Sequence, residues 1–248
     1  MNFIEATLKA AASKPVILVI LSGGAVCLGK YKDDPRVSAI IFGGYPGQEA
    51  GVGVAEVIFG KYAPSGRLSQ TFYSQPFVSE VSFFDMGMRP RASSGDETDV
   101  GNPGRGYRFY SGSNVVYPFG HGLSYTSFQY SWSTKKPVGA LDNGKSIFNA
   151  TAGIYVDEVV VQNVGKVSSA ETVLVFLLPP HSAQSSGDPR RSLRFFDKVF
   201  LNPTESQAVS IQLTSIDFSL ADEGGVVSVT KGEWTLSVGD LVKSVWVN

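Results

Sequence analysis

IIFGGYPGQEAGVGVAEVIFG, from Ile40 to Gly60, decides the fold of this chain. An apolar run meets a knot of glycines, and a segment with helical spacing follows. Two readings compete: a glycine-rich loop that cradles phosphate, and a turn whose glycines serve the packing of another kind of α/β domain. A Walker loop requires Gly-Lys-Ser/Thr, so that lysine and hydroxyl meet phosphate and magnesium. Here Gly60-Lys61 is followed by Tyr62 and lies behind the helix. The dinucleotide pattern spaces its glycines to bring a helix N-terminus onto pyrophosphate. The proline in Gly43-Gly44-Tyr45-Pro46-Gly47 does not match it. Strand, turn and helix without a nucleotide is the better reading.

Working outward, the strand covers Val37 to Phe42 and the helix runs from about Gln48 to Phe59. Val54, Val57 and Ile58 share one helix face, Glu49 sits in the first turn and Gly60 can end it. Gly51 and Gly53 each cost such a helix about 1 kcal/mol relative to alanine, which predicts close packing against a neighbour. Upstream, MNFIEATLKA reads as an amphipathic helix over Asn2 to Ala12, with Phe3, Ile4 and Leu8 on one face. Val16 to Leu21 is apolar on both faces, as in a fully buried parallel strand. KAAASKPVILVILSGGAVC also has the make-up of a secretory signal. Its apolar run is too short to span a bilayer, and strand is the preferred assignment. Two parallel strands cannot cover both their faces and their edges, and an uncovered apolar strand aggregates. The sheet is therefore expected to be completed from upstream in a longer chain or by a partner.

Downstream, Tyr73 to Gly106 lacks periodicity, and RPRASSGDETDVGNPGRG is rich in turn formers. Aromatic residues follow in YRFY (Tyr107 to Tyr110) and VYPFGHGLSYTSF (Val116 to Phe128). These rings read as packing a seam between two domains; stacking on pyranose rings is the alternative. After Ser127 the pattern becomes short strands at regular intervals. Ser210 to Thr214 alternates; Leu193, Phe195, Val199 and Leu201 fall at even spacing, as do Trp234, Leu236 and Val238. Thr172 to Leu178 is an apolar run ended by Pro179-Pro180, and Lys231-Gly232 and Gly239-Asp240 mark turns. About seven strands predict an antiparallel β-sandwich of the immunoglobulin or fibronectin kind. No repeat unit supports a propeller.

Composition narrows the function. With 248 residues, 43% hydrophobic and 17% charged, the chain is globular. A net charge of -1 offers no basic stripe for a phosphate backbone, so no nucleic-acid partner is expected. Cys27, His121 and His181 are too few for a Cys/His metal site, and no cofactor is expected. Cys27 reads as a buried, inert thiol. The sequon Asn149-Ala150-Thr151 is a weak pointer to the secretory pathway. Gly120-His121-Gly122-Leu123-Ser124 does not supply the Gly-x-Ser-x-Gly elbow of a serine hydrolase, and His121 reads as a hydrogen-bonding group in a turn. Glycoside hydrolysis needs two carboxylates flanking the bond. Glu49, Asp85, Asp96, Glu97 and Asp99 are candidates, but nothing local pairs any two, and the last three read as a solvated loop.

Several segments, in order, carry a resemblance. LSGGAV (Leu21 to Val26), GGYPGQEAG (Gly43 to Gly51), VIFGKYAPSGRL (Val57 to Leu68) and YPFGHGLSYTSF (Tyr117 to Phe128) resemble the C-terminal half of family 3 glycoside hydrolases. MRP (Met88 to Pro90) and NPGRGYRFY (Asn102 to Tyr110) are closer to the β-xylosidase branch. VQNVGK (Val161 to Lys166) and LRFFDKVFLNPTES (Leu193 to Ser206) resemble its terminal fibronectin type III-like domain.

The resemblance implies an α/β plus all-β fold: a partial α/β sandwich over 1–75, a connecting segment with the aromatic cluster over 76–125, and a fibronectin type III-like domain over 126–248. It implies that the glycines after Phe42 serve turns and packing. It implies a retaining β-xylosidase acting on xylan or arabinosyl ends, in the extracellular or secretory compartment. The partners are then carbohydrate, reached through the full enzyme, and an upstream barrel or partner chain that completes the sheet; no membrane partner is expected. The family's nucleophilic aspartate lies in an N-terminal barrel and its acid/base glutamate upstream of Val16, so no catalytic residue is carried onto this chain. Cys27 stands where the family usually has an acidic residue. The chain reads as a fragment or incomplete gene product, or as a short protein acting as a carbohydrate-binding or scaffold module.

Overall fold

The computed structural model describes residues 2–95, 99–135, 137–138, 141–142, 145–148, 153–180, 187–222 and 224–248. The sequon Asn149-Ala150-Thr151, His181, Asp96 and Glu97 lie outside the described residues.

The first part alternates helix and strand. Helix α1 (Asn2–Ala11) leads into β1 (Val16–Ile20), and α2 (Gly29–Lys32) into β2 (Val37–Phe42). β1 and β2 pair in parallel as a two-stranded sheet. Helix α3 (Ala50–Ile58) starts two residues later than its spacing suggests, because Gly47 turns the chain at φ 75°. Gly44, at φ 62°, takes the same left-handed conformation, so this glycine pair makes a turn that side-chain-bearing residues resist. Leu8, Leu28 and Tyr31 are buried around this unit.

Three expectations fail here for one reason: the sheet has two strands, and among the described residues none buries its far side. β1 is not buried on both faces, since Ile17 and Val19 are more than a third exposed and Leu21 is 58% exposed. A Cβ added at Gly51 or Gly53 would meet no described atom within 4 Å, so neither glycine packs on a neighbour among the described residues, and α3 buries no residue. Cys27, expected inside, is an exposed free thiol in the loop after β1.

A connecting layer lies between helix α3 and the sandwich. β3 (Phe72–Tyr73) pairs with β4 (Val115–Tyr117), which encloses the short helices α4 (Phe77–Glu80) and α5 (Gly106–Phe109). Phe72, Phe109, Tyr110 and Val116 are buried there. The turn-rich stretch is cross-linked by paired backbone bonds between Arg91 and Asn102, each 2.8 Å.

The last part is a β-sandwich. Its strands are β5 (Phe128–Trp132), β6 (Leu141–Asp142), β7 (Lys145–Phe148), β8 (Ile154–Asn163), β9 (Ser169–Leu178), β10 (Ser192–Leu201), β11 (Ser206–Thr214), β12 (Ser219–Ala221), β13 (Val227–Val229), β14 (Gly232–Val238) and β15 (Leu241–Val247). Seven of these have five or more residues, matching the count read from the alternation. One sheet runs β10-β9-β14-β15-β7-β6 and the other β11-β8-β5, antiparallel except for β7 on β15. The inward positions Trp234, Leu236 and Val238 of β14 are fully or nearly fully buried, as period-2 alternation requires. A bulge between Leu193 and Phe195 breaks the register of β10 and leaves both half-buried. This sandwich holds the main hydrophobic core, which Phe148, Tyr155 and Phe218 complete with stacked and edge-on rings.

Candidate functional site

The seam between the connecting layer and the sandwich concentrates polar and aromatic groups. Residues 65–68 and 118–122 lie beside β9: the Leu68 amide donates to the His121 carbonyl and the Gly120 amide to the Leu68 carbonyl, both at 2.8 Å. Gly122 sits so close to the Gly66 carbonyl that a Cβ there has no room. Thr172 of β9 donates to the Ser65 carbonyl at 2.8 Å. Glu171, the one charged side chain in the apolar run of β9, accepts two bonds from Arg67 Nη2, each 2.7 Å. The Tyr130 hydroxyl donates to the same carboxylate at 2.7 Å. Burial, reinforced by that carboxylate, holds the Tyr130 phenol well above its ordinary pKa. The pair is nearly dry, with the Glu171 side chain 5% exposed and Arg67 20%.

Aromatic rings sit next to this cluster. Tyr107 and Phe119 stack at 4.2 Å, and both meet Phe176 of β9 edge-on, at 5.9 and 6.1 Å. Tyr73 stacks on Phe77 at 3.8 Å, and its hydroxyl accepts the Gly106 amide at 2.7 Å. The rings therefore do brace the seam. They also leave two cavities that share Phe119 as a wall. One, of about 220 Å³, is lined by Arg67, Tyr130, Glu171, Phe176, Arg191 and Ser237 among others. The other, of about 310 Å³, is lined by Gln70, Tyr73, Phe77, Arg105 and Tyr107 among others.

The candidate carboxylates stand elsewhere. Arg91 donates to Asp99 through both guanidinium nitrogens, at 2.8 and 2.9 Å, and to Asp85 at 3.2 Å. Asp99 thus organises its loop and is not merely solvated. Its pKa is pulled far down, by Arg91 first and then by the Ser94 and Gly101 amides. That of Asp85 falls through the Gly87 amide first and then Arg91. Both shifts favour the ionised form, the opposite of what a general acid for glycoside hydrolysis requires. Glu49 precedes α3, exposed, and accepts a hydrogen bond from Gln48 at 3.5 Å. Glu49, Asp85 and Asp99 line neither cavity. Among the described residues no group of three His, Cys, Asp or Glu side chains is arranged to hold a metal, and no helix is long and apolar enough to cross a membrane.

His121 differs from its expected role. The ring stacks on Tyr117 at 5.0 Å, and its backbone groups make the turn's hydrogen bonds. Burial, then the charges of Arg67 and Lys32, lower its pKa below the ordinary 6.5. The unfolded chain therefore takes up a proton before the folded one does, and stability falls as the pH drops through about 6.5 toward the folded value. We expect unfolding free energy to decline between pH 6.5 and 5, and His121→Asn to flatten that part of the profile. An unchanged slope in the variant would rule the mechanism out.

The sequence pointed to the connecting-layer aromatics but missed Tyr130, Glu171, Phe176 and Arg191 in the sandwich. A lone glutamate within the apolar run of β9 was the available signal for one of them.

A model of the glycosyl hydrolase family 3 C-terminal domain matches residues 2–125, and a fibronectin type III-like domain model matches residues 171–242. The chain is 36% identical to Beta-D-xylosidase 1 of Arabidopsis thaliana over 96% of its own length and 32% of that protein's. It is 36% identical to Beta-xylosidase/alpha-L-arabinofuranosidase 2 of Medicago sativa subsp. varia, over 93% of this chain and 30% of that protein. It thus spans about a third of the length of these relatives. The structure of a GH3 exo-beta-xylosidase (XlnD) in complex with a xylobiose aziridine probe superposes with a TM-score of 0.81 at 28% identity, covering 100% of this chain and 32% of that one.

Proposed function

Because the chain belongs to glycoside hydrolase family 3, we propose that it forms the C-terminal part of a β-xylosidase-like retaining glycosidase. The observation that carries this reading is the extent of the match: nearly the whole chain aligns with one third of each xylosidase relative. The uncovered apolar side of β1 and the unburied α3 support it, because further sheet strands and a barrel would cover both. The whole enzyme would release xylose or arabinose from the non-reducing ends of xylan-type chains through a glycosyl-enzyme intermediate. Within it, this chain would contribute residues 1–75 to the α/β sandwich, 76–125 as the brace, and 126–248 as the terminal sandwich. Its setting would be extracellular or secretory, and its polymer partner a carbohydrate and not a nucleic acid or a membrane.

The chain by itself is expected to hydrolyse no aryl β-xyloside, since neither carboxylate of the required pair is assigned to it. Fused behind the N-terminal two thirds of a xylosidase relative, it is expected to restore turnover. Activity of the pure, sequence-verified chain alone would overturn the first expectation, and an inactive but folded fusion the second. The two aromatic-walled cavities favour a second reading, a non-catalytic carbohydrate-binding or scaffold module. Xylo-oligosaccharide binding by the chain alone, together with an inactive fusion, would bring that reading forward.

A further inference from the structure

The nine arginines of this chain divide into two groups. Arg36, Arg67 and Arg91 are in ion pairs with aspartate or glutamate. Arg89, Arg105, Arg108, Arg190, Arg191 and Arg194 form none with another described residue. All six come from two stretches, 89–108 and 190–194, that the fold brings together. The Arg190 amide donates to the Arg108 carbonyl at 2.6 Å, and Arg190 Nη1 to the Tyr110 carbonyl at 2.9 Å. The Leu193 amide donates to the Tyr107 hydroxyl at 3.2 Å. In a chain of net charge -1, this concentration is a property of the fold and not of the composition.

Rings and carbonyls stand where carboxylates would be expected. Arg191 lies 4.6 Å over Phe176, and Arg89 and Arg108 lie 5.9 and 5.2 Å from the Phe109 centroid. Arg105 donates to the Ser82 and Asp85 carbonyls, while its Nε and that of Arg194 are buried without a partner. Among the described carboxylates nearby, Glu171 lines the same cavity as Arg191 but is engaged by Arg67 and Tyr130. Asp217 is bonded by Thr214 while its charge also acts on Arg194, and Asp188, which precedes Arg190, forms an ion pair with none of the six. Arg105, Arg191 and Arg194 are half-buried, whereas Arg89, Arg108 and Arg190 are exposed. A half-buried guanidinium is ordinarily matched by an anion, because desolvation without a partner is costly.

We propose that the cavity under Arg191 binds the carboxylate of an acidic sugar, a uronate carried on a polysaccharide. The guanidinium suits a carboxylate in shape and charge. Phe119 and the buried Phe176, whose ring lies under Arg191, make the cavity's apolar wall, and Ser237 adds a hydroxyl. At about 220 Å³ the space is below the ~300 Å³ at which clefts for drug-sized ligands begin, so it suits one ring of a chain that continues outside. Arg105, which lines the cavity across the Phe119 wall, would attract a second negative unit. The choice of a sugar as the anion's carrier rests on the carbohydrate reading above; the demand for an anion does not.

Calorimetry on the full chain, at low and at physiological salt, tests this with three probes: neutral xylotriose, xylotriose bearing a glucuronate branch, and trigalacturonate. The branched probe is expected to bind at least about tenfold more tightly than the neutral one, with a preference that shrinks as salt rises. R191Q is expected to abolish the preference. Its thermal midpoint should stay level or rise, because an unpartnered, partly desolvated charge is gone. If the unmutated chain binds neither acidic probe more tightly than the neutral one, the proposal is overturned, whatever the variant does. A preference that survives in a folded R191Q overturns the assignment to Arg191. Trigalacturonate binding without glucuronoxylotriose binding supports the carboxylate site while counting against xylan as its polymer. Failure of the fusion to hydrolyse an aryl xyloside counts only against the glycosidase reading.

Discussion

Glu171→Ala is expected to destabilise the chain by about 3–5 kcal/mol, because removing one partner of a buried ion pair leaves the other charged and unmatched. Arg67 would lose both of its 2.7 Å bonds, and the Tyr130 hydroxyl its acceptor. The cost is specific to breaking the pair. Replacing both residues by methionine removes the desolvated charges together, and such replacements are often neutral. The single variant should therefore unfold at much lower denaturant, while Arg67→Met/Glu171→Met should recover most of the loss. A double variant as unstable as Glu171→Ala would show that the packing of these side chains, and not their charge, sets the seam. Since Arg67 follows the α/β unit and Glu171 lies in β9, the single variant should also loosen residues 65–68 and 118–122 first. Faster amide exchange there than in β14 would report it.

Trp234→Ala is expected to cost about 3–5 kcal/mol, the usual penalty for emptying an aromatic site in a packed core. The indole is 1% exposed, meets Phe218 edge-on at 5.6 Å and donates from Nε1 to the Thr230 carbonyl at 2.8 Å. The residue sits between the two sheets, so no single strand can relax into the void. Trp234→Phe keeps most of the volume but removes the donor, and should cost less. Against a total stability of about 5–15 kcal/mol, the alanine variant would leave a substantial unfolded fraction on mild heating. Chemical denaturation followed by far-UV dichroism checks this. A loss below about 1 kcal/mol would mean that the core is held elsewhere.

Much of the architecture was legible in the residues. Period-2 alternation at Ser210 to Thr214 and at Trp234, Leu236 and Val238 marked strands whose burial the structure reproduces. The strand-turn-helix order around Gly43 to Gly47 was readable because positive φ at Gly44 and Gly47 is a local demand of the backbone. The parallel pair of Val16–Ile20 and Val37–Phe42 was legible too, as two apolar runs, which a helical connection joins in the structure. Burial at particular positions was not. Ile17, Val19 and Cys27 have the composition of an interior and lie exposed, and Gly51 and Gly53 face open space. Burial depends on a neighbour, and no pattern within the strand or helix says whether this chain provides one.

The sequence by itself determined the element types, their order, the two-part character of the chain and its family, because each follows from local periodicity or from motifs within a few residues. Only the tertiary structure decided the chemistry of the seam. Arg67 and Glu171 are 104 residues apart, and Arg108 and Arg190 come from different layers. Whether a charge is paired, stacked on a ring or left for a ligand is settled by which side chains the fold brings within about 4 Å of it, and that distance is independent of separation along the chain.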